Sequence, residues 1–220
     1  MYKLFLLTLS ASLSLWAVEI KQTPIEFFDK RVELTKEYIK EHYNLEVKDI
    51  NIVPKIIVIH HTAIDDFDDS LSRFIAQTLP TDRPDIKSGG ALNVSAHFMV
   101  ERDGTIHQLM PLEFMARHVI GLNYNSIGIE NVGGQSSKDN LTKEQLKANI
   151  ELVNYLKKKF PSIEYMIGHY EYRCFEGSSL WLEVDDGYRT KKDDPSTRFM
   201  RELRDSVEDL KTVPCKKIDD

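Results

Sequence analysis

The sequence predicts an α/β fold: a single domain with a central mixed β-sheet flanked by helices, preceded by an N-terminal helical extension. Three observations carry that prediction. Residues 56–59, Ile-Ile-Val-Ile, form an unbroken β-branched run, as in a strand covered on both faces. Two strand-like runs, residues 94–102 and 105–110, flank Asp103-Gly104, a strong signal for an antiparallel hairpin. Residues 142–160 carry the most complete helix signature. Thr142 and Gln145 match a capping box, Leu141 and Leu146 a hydrophobic staple, and Leu146, Ile150, Val153 and Phe160 share one face.

Taken in order, the elements begin with a segment unlike the rest. Lys3 precedes an apolar run from Leu4 to Val18 interrupted only by Thr and Ser. Residues 1–18 therefore read as a secretory signal peptide, too short for a comfortable membrane span, with Ala17 as the small residue before the cut. Leu15 is larger than the ideal residue at that site, so an uncleaved anchor is the alternative. No later apolar run has membrane length. Residues 19–50 form the extension, in which Ile25, Phe28, Val32, Leu34, Tyr38 and Ile39 predict an amphipathic helix over 24–43.

The main domain is expected over 51–212. Its first strand ends in His60, His61 and Thr62, and the ends of central strands face a crevice. A short helix over 69–78 follows, then a surface loop over 80–92 with two prolines and Gly89-Gly90. After the hairpin, residues 127–132 form a strand closed by Gly133-Gly134. Beyond the long helix, residues 165–168 give a short strand with His169 at its end. Residues 170–193, rich in charge, Gly and aromatics, are long for a plain connection and read as a functional loop shaped by Trp181 and Tyr188. Residues 199–210 close the domain as a helix, and 213–220 form a loose tail.

The balance of 41% hydrophobic and 29% charged residues over 220 positions suits one globular domain, expected to be a monomer. A net charge of −6 argues against nucleic acid as the partner. Cys174 and Cys215 are able to pair in an oxidising compartment, but their separation in sequence gives no geometric evidence either way.

The seven histidines are unevenly placed. His42 falls on the polar side of a helix and His107 inside a hairpin strand, and both read as surface. His60 and His169 each follow a buried-strand signature, so the two can converge on one crevice, where neutral imidazole is the usual nitrogen ligand of zinc. Taken singly, each is better explained as a hydrogen-bonded structural histidine. Asp193-Asp194-Pro195 offers carboxylates just before the last helix, and the residue before proline is held extended. Helix N-terminal capping is the competing explanation. Glu130 interrupts a strand that is otherwise apolar. Burial would raise its pKa into the range of a useful base, whereas an alternating strand would turn it to solvent. Pattern alone does not separate these.

Five motifs occur in order: Ile-Val-Ile-His60-His61-Thr62-Ala63; Ser95-Ala96-His97-Phe98 with Arg102-Asp103-Gly104-Thr105-Ile106; Asn125-Ser126-Ile127-Gly128-Ile129-Glu130; Ile167-Gly168-His169; and Lys192-Asp193-Asp194-Pro195. Over residues 52–205 the chain resembles the N-acetylmuramoyl-L-alanine amidases, which share a fold with phage lysozyme and the peptidoglycan-recognition proteins. The resemblance is to the branch with an Asp ligand, as in the anhydro-muropeptide amidases. It implies one zinc ion held by His60, His169 and Asp194, with Glu130 as catalytic base and Lys192 assisting. A one-residue slip would exchange Asp193 with Asp194. The phage branch places a Tyr where this chain has Ala96, so a Tyr-dependent mechanism is not expected.

Relatives also suggest substrate contacts from His118 and Asn123, while His61 and His97 read as supporting or core residues. The implied partner is peptidoglycan or its muropeptides, and the leader implies export to the periplasm. A non-catalytic peptidoglycan-binding module on the same fold is the competing reading, but such relatives typically lose a zinc ligand. A zinc peptidase of the His-Glu-x-x-His type is not supported, because that motif is missing from the sequence.

Overall fold

The computed structural model describes residues 18–211, 213 and 215, so the expected leader lies, Val18 apart, outside the described residues. Six strands form one mixed sheet: β1 (Ile20–Gln22), β2 (Ile56–His61), β3 (Phe98–Val100), β4 (Ile106–Gln108), β5 (Ser126–Asn131) and β6 (Tyr165–Gly168), in the spatial order β1-β4-β3-β5-β2-β6. Strands β6, β2, β5 and β3 run parallel, and β3 turns through Asp103-Gly104 into antiparallel β4. Among the described residues, four α-helices accompany them: α1 (Asp29–Tyr43), α2 (Phe67–Ile75), α3 (Lys143–Lys159) and α4 (Thr197–Asp205). The α3 capping box forms as the sequence predicts, with Thr142 and Gln145 bonding each other's backbone N–H.

Side-chain alternation along β2 and β5 sorts the interior into two cores. Ile57, Ile59, Ile127 and Ile129 pack beneath α3 and α4 against Leu152, Val153, Phe199 and Met200. On the opposite face Ile56, Val58 and Ile167 meet Tyr38, Ile39 and Tyr43 of α1. Since His60 shares parity with Val58, and Glu130 with Gly128, both project on the α1 side. That parity places the site.

The N-terminal extension departs from a purely helical reading. Residues 20–22 add a parallel strand to β4, and the N–H groups of Thr23 and Ile25 continue the ladder to the carbonyls of Gln108 and Leu109. The helix begins at Asp29, not near Pro24, because an unpaired sheet edge captures the preceding backbone. The same strand covers His107. Expected on the surface, this ring is buried, with Thr23 Oγ1 2.8 Å from Nδ1 and Glu101 Oε1 2.7 Å from Nε2.

His42 was also expected to be solvated and is not. Residues 182–188 fold back over α1, and His42 Nδ1 lies 2.9 Å from the buried Glu183 carboxylate. Val184 N–H donates to the His42 carbonyl at 2.9 Å. Two residues of the C-terminal segment make contacts as well: Cys215 forms a disulfide with Cys174, and Val213 packs on the α1-side core. The loop over 80–92 contains a 3-10 turn at Pro84–Gly89, and the long connection over 170–193 opens with another at His169–Phe175. Among the described residues, no helix is long and apolar enough to cross a membrane.

Candidate metal and catalytic centre

The carboxyl ends of β2, β5 and β6 open into a cavity of about 500 Å³. Strand register sets His60 opposite Glu130, while β6 ends at Gly168 and delivers His169 beside them. Asp194 arrives from the segment before α4, pinned by its carbonyl, which accepts from Tyr170 N–H at 3.1 Å. His60, His169 and Asp194 are all buried.

Their ligand atoms form a compact triangle. His60 Nδ1 and His169 Nδ1 lie 3.0 Å apart, and Asp194 Oδ2 lies 3.1 Å from His169 Nδ1 and 3.3 Å from His60 Nδ1. A tetrahedral ion with bonds of about 2.0 Å requires ligand edges of about 3.3 Å, so the triangle is of a size to hold a metal ion. Protonation states agree with that use. Burial, reinforced by the charge of His169, lowers the His60 pKa to about 4 against the opposing pull of Asp194, so the ring is neutral near pH 7. Burial opposes ionisation of Asp194, but the two histidines prevail and hold its carboxyl well below the usual range.

Glu130 lines the same cavity. Because β5 is covered on both faces, its alternation directs this side chain to the site and not to bulk solvent. Glu130 Oε2 is buried without a hydrogen-bond partner. Burial, with the negative charge of Asp194, raises the pKa to about 8, and the charges of Lys192 and Arg83 only partly offset the rise. A carboxylate left unsatisfied beside three metal-type ligands is suited to taking a proton. Lys192 lines the cavity at its rim, while exposed Asp193 accepts a 2.9 Å bond from Ser137 Oγ. Thus Asp194, and not Asp193, joins the histidines.

His118 and Asn123 border the cavity, but their polar atoms are committed within the protein. His118 Nδ1 lies 3.0 Å from His60 Nε2, and its Nε2 lies 3.2 Å from Ser126 Oγ. Asn123 Oδ1 accepts from the N–H groups of His118 and Val119, both at 2.8 Å. His97 is a core residue: Nε2 donates to the Phe114 carbonyl and Nδ1 accepts from Gly128 N–H. The His61 ring packs over Gly134, whose positive φ a Cβ would strain and whose space that ring fills.

Sequence reasoning missed part of the lining. Tyr38 comes from the extension, Arg83 from the 80–92 loop, and Arg117 from the segment before β5. Arg117 is buried, donates to the carbonyls of Leu92 and Ile86 and to Tyr188 Oη, and so ties the 80–92 loop to the 170–193 loop. Nothing local in the sequence marks these three. Ser126 was legible in principle, because it shares strand parity with Glu130.

The family model for N-acetylmuramoyl-L-alanine amidase matches residues 51–197, more than half of the chain. The chain belongs to the N-acetylmuramoyl-L-alanine amidase family. Within that match lie His60, Glu130, His169, Lys192 and Asp194, and outside it lies the extension carrying Tyr38 and His42. The chain is similar to the endolysin of Enterobacteria phage K11, 32% identical over 87 residues, and to that of Escherichia phage T7, 35% identical over 78. These matches take in 38% and 34% of the chain, and 58% and 52% of the endolysins, so the chain spans little more than half their length. A selenomethionine derivative of AmpD shares the amidase fold, with a TM-score of 0.54 at 22% identity over 88% of this chain and 97% of that one.

Proposed function

We propose that the chain is a zinc-dependent amidase that hydrolyses the bond between the lactyl group of N-acetylmuramic acid, intact or anhydro, and the L-alanine of the stem peptide. The observation that carries this reading is one cavity holding both the His60, His169, Asp194 triangle and the unpartnered Glu130 carboxylate. Zinc bound by the three residues would lower the pKa of a water and polarise the scissile carbonyl. Glu130 accepts the proton of the attacking water and passes it to the leaving nitrogen of L-alanine. Lys192 supplies positive charge where the carbonyl oxygen becomes negative. Burial of the three ligands excludes competing water and strengthens each of these interactions.

Export to the periplasm is part of the proposal. The leader-like N-terminus motivates it, and the Cys174–Cys215 disulfide supports it, since such bonds persist in oxidising compartments. The deciding experiment digests purified sacculi and, separately, anhydro-muropeptides, with mass analysis of the products with and without a chelator. Free stem peptide beginning at L-alanine, lost on chelation and restored by zinc, is expected. Release that persists in the metal-stripped protein would overturn the zinc mechanism, and no release from either substrate would overturn the amidase reading.

A further inference from the structure

The two residues expected to contact substrate are built into something else. Ser126 Oγ lies 2.9 Å from the Leu122 carbonyl, which can only accept, so the hydroxyl hydrogen points there. The same oxygen faces His118 Nε2 at 3.2 Å and must accept, which puts a proton on that nitrogen. In a neutral imidazole Nδ1 is then bare, and it faces His60 Nε2 at 3.0 Å. His60 Nε2 must therefore donate, leaving His60 Nδ1 unprotonated and directed at His169 Nδ1 and Asp194 Oδ2. The chain of hydrogen bonds has one consistent direction, fixed at a backbone carbonyl.

The surroundings hold this chain in place. A Cβ at Gly128 would lie 2.8 Å from the His118 ring, so glycine is what admits the ring between Ser126 and Glu130. Asn123 Oδ1 clasps the backbone N–H of His118 and Val119, and the ring stands edge-on to His60 at a centroid distance of 5.1 Å.

We propose that His118, anchored by Ser126 and carried by Asn123, is a positioning residue that fixes the tautomer and ring orientation of His60 for zinc and does not touch substrate. This inference rests on the zinc reading of the site and names the support of that site. Outer partners of metal-bound histidines commonly change metal affinity by about 10–100-fold when removed.

The test measures zinc dissociation constants by chelator competition, alongside thermal unfolding of the metal-free proteins and assignment of the His60 tautomer by nitrogen NMR. His118→Phe keeps an aromatic of similar size without an acceptor and is expected to weaken zinc binding about 10–100-fold. His118→Asn, with an oxygen near the Nδ1 position, is expected to recover most of that loss, and Ser126→Ala to show a smaller one. In the zinc-loaded wild type, His60 is expected to carry its proton on Nε2. Wild-type zinc affinity in His118→Phe overturns the proposal, as does a His60 protonated on Nδ1. Should His118→Phe fail to fold, Ser126→Ala and the wild-type tautomer still decide the matter. Failure of the wild type itself to bind zinc better than His60→Ala would instead defeat the metal reading.

Discussion

Glu130 is the residue whose environment most directly sets its chemistry. Its carboxyl is raised to about 8 by burial and by Asp194, above an ordinary value of 4.5. In the metal-free protein the folded state therefore holds a proton that the unfolded state has released between about pH 4.5 and 8. By linkage, stability falls as pH rises through that window. Glu130→Gln should flatten this decline, and urea titrations of both metal-free proteins at several pH values measure it. Equal slopes would mean that Glu130 is ionised in the fold. In turnover the same substitution should retain zinc while amide hydrolysis falls by at least about 100-fold, the usual contribution of a positioned acid–base group. Metal analysis with product quantification tests it, and undiminished turnover removes Glu130 from the mechanism.

His97 works in the opposite direction. Burial lowers its pKa to about 4, against the raising effect of its bond to Phe114. Its Nδ1 accepts from Gly128 N–H, so a second ring proton would face a donor. The unfolded state takes up that proton first, and stability present above about pH 6.5 is lost as pH falls toward 4. His97→Gln should reduce the loss across that window in equilibrium unfolding. A variant as acid-sensitive as the wild type would assign the effect to other buried histidines.

At the scale of elements, the N-terminal extension functions as a wall of the site. Helix α1 supplies Tyr38 to the cavity, and its His42 bonds Glu183 of the segment leading to Tyr188 and Lys192. Stacking of Tyr38 on His42 at 4.4 Å and the contact of His42 with Tyr188 at 5.0 Å complete the link. Glu183→Ala leaves a buried ring nitrogen without its partner, at a cost of about 1–3 kcal/mol. It should also raise KM more than it lowers kcat, because the freed segment around Glu183 lines the cavity through Tyr188 and carries none of the proposed zinc ligands. Limited proteolysis within residues 176–193 together with steady-state kinetics examines this. A loop as resistant as in the wild type would show that the His42–Glu183 contact does not restrain it.

For the whole molecule, the disulfide joins the C-terminal segment to the 3-10 turn that begins at His169, closing a loop with a sequence separation of 41. Chain entropy assigns such a loop about 4 kcal/mol of stabilisation. Reduction should lower the unfolding midpoint of the metal-free protein by several degrees, as scanning calorimetry with and without reductant would measure. Coincident transitions would show that the tail adds nothing to the fold.

Local pattern alone determined much of this protein. The β-branched run, the Asp103-Gly104 hairpin and the capped helix α3 each follow from short-range chemistry, and together they define the sheet and its two covers. His60 and His169 were marked because a strand's carboxyl end opens on a crevice, Glu130 because it interrupts an apolar strand, and Asp193-Asp194 because they precede Pro195; the resemblance chose among the readings of each and added Lys192. Tertiary structure decided what depends on partners distant along the chain. Whether Glu130 faces solvent or cavity turns on coverage of both sheet faces. Whether His42 and His107 are buried turns on segments that arrive from residues 183 and 23. Pairing of Cys174 with Cys215, and the contact of His118 with His60, likewise depend on long-range proximity. Periodicity specifies which face a residue takes, but only packing specifies what lies against that face.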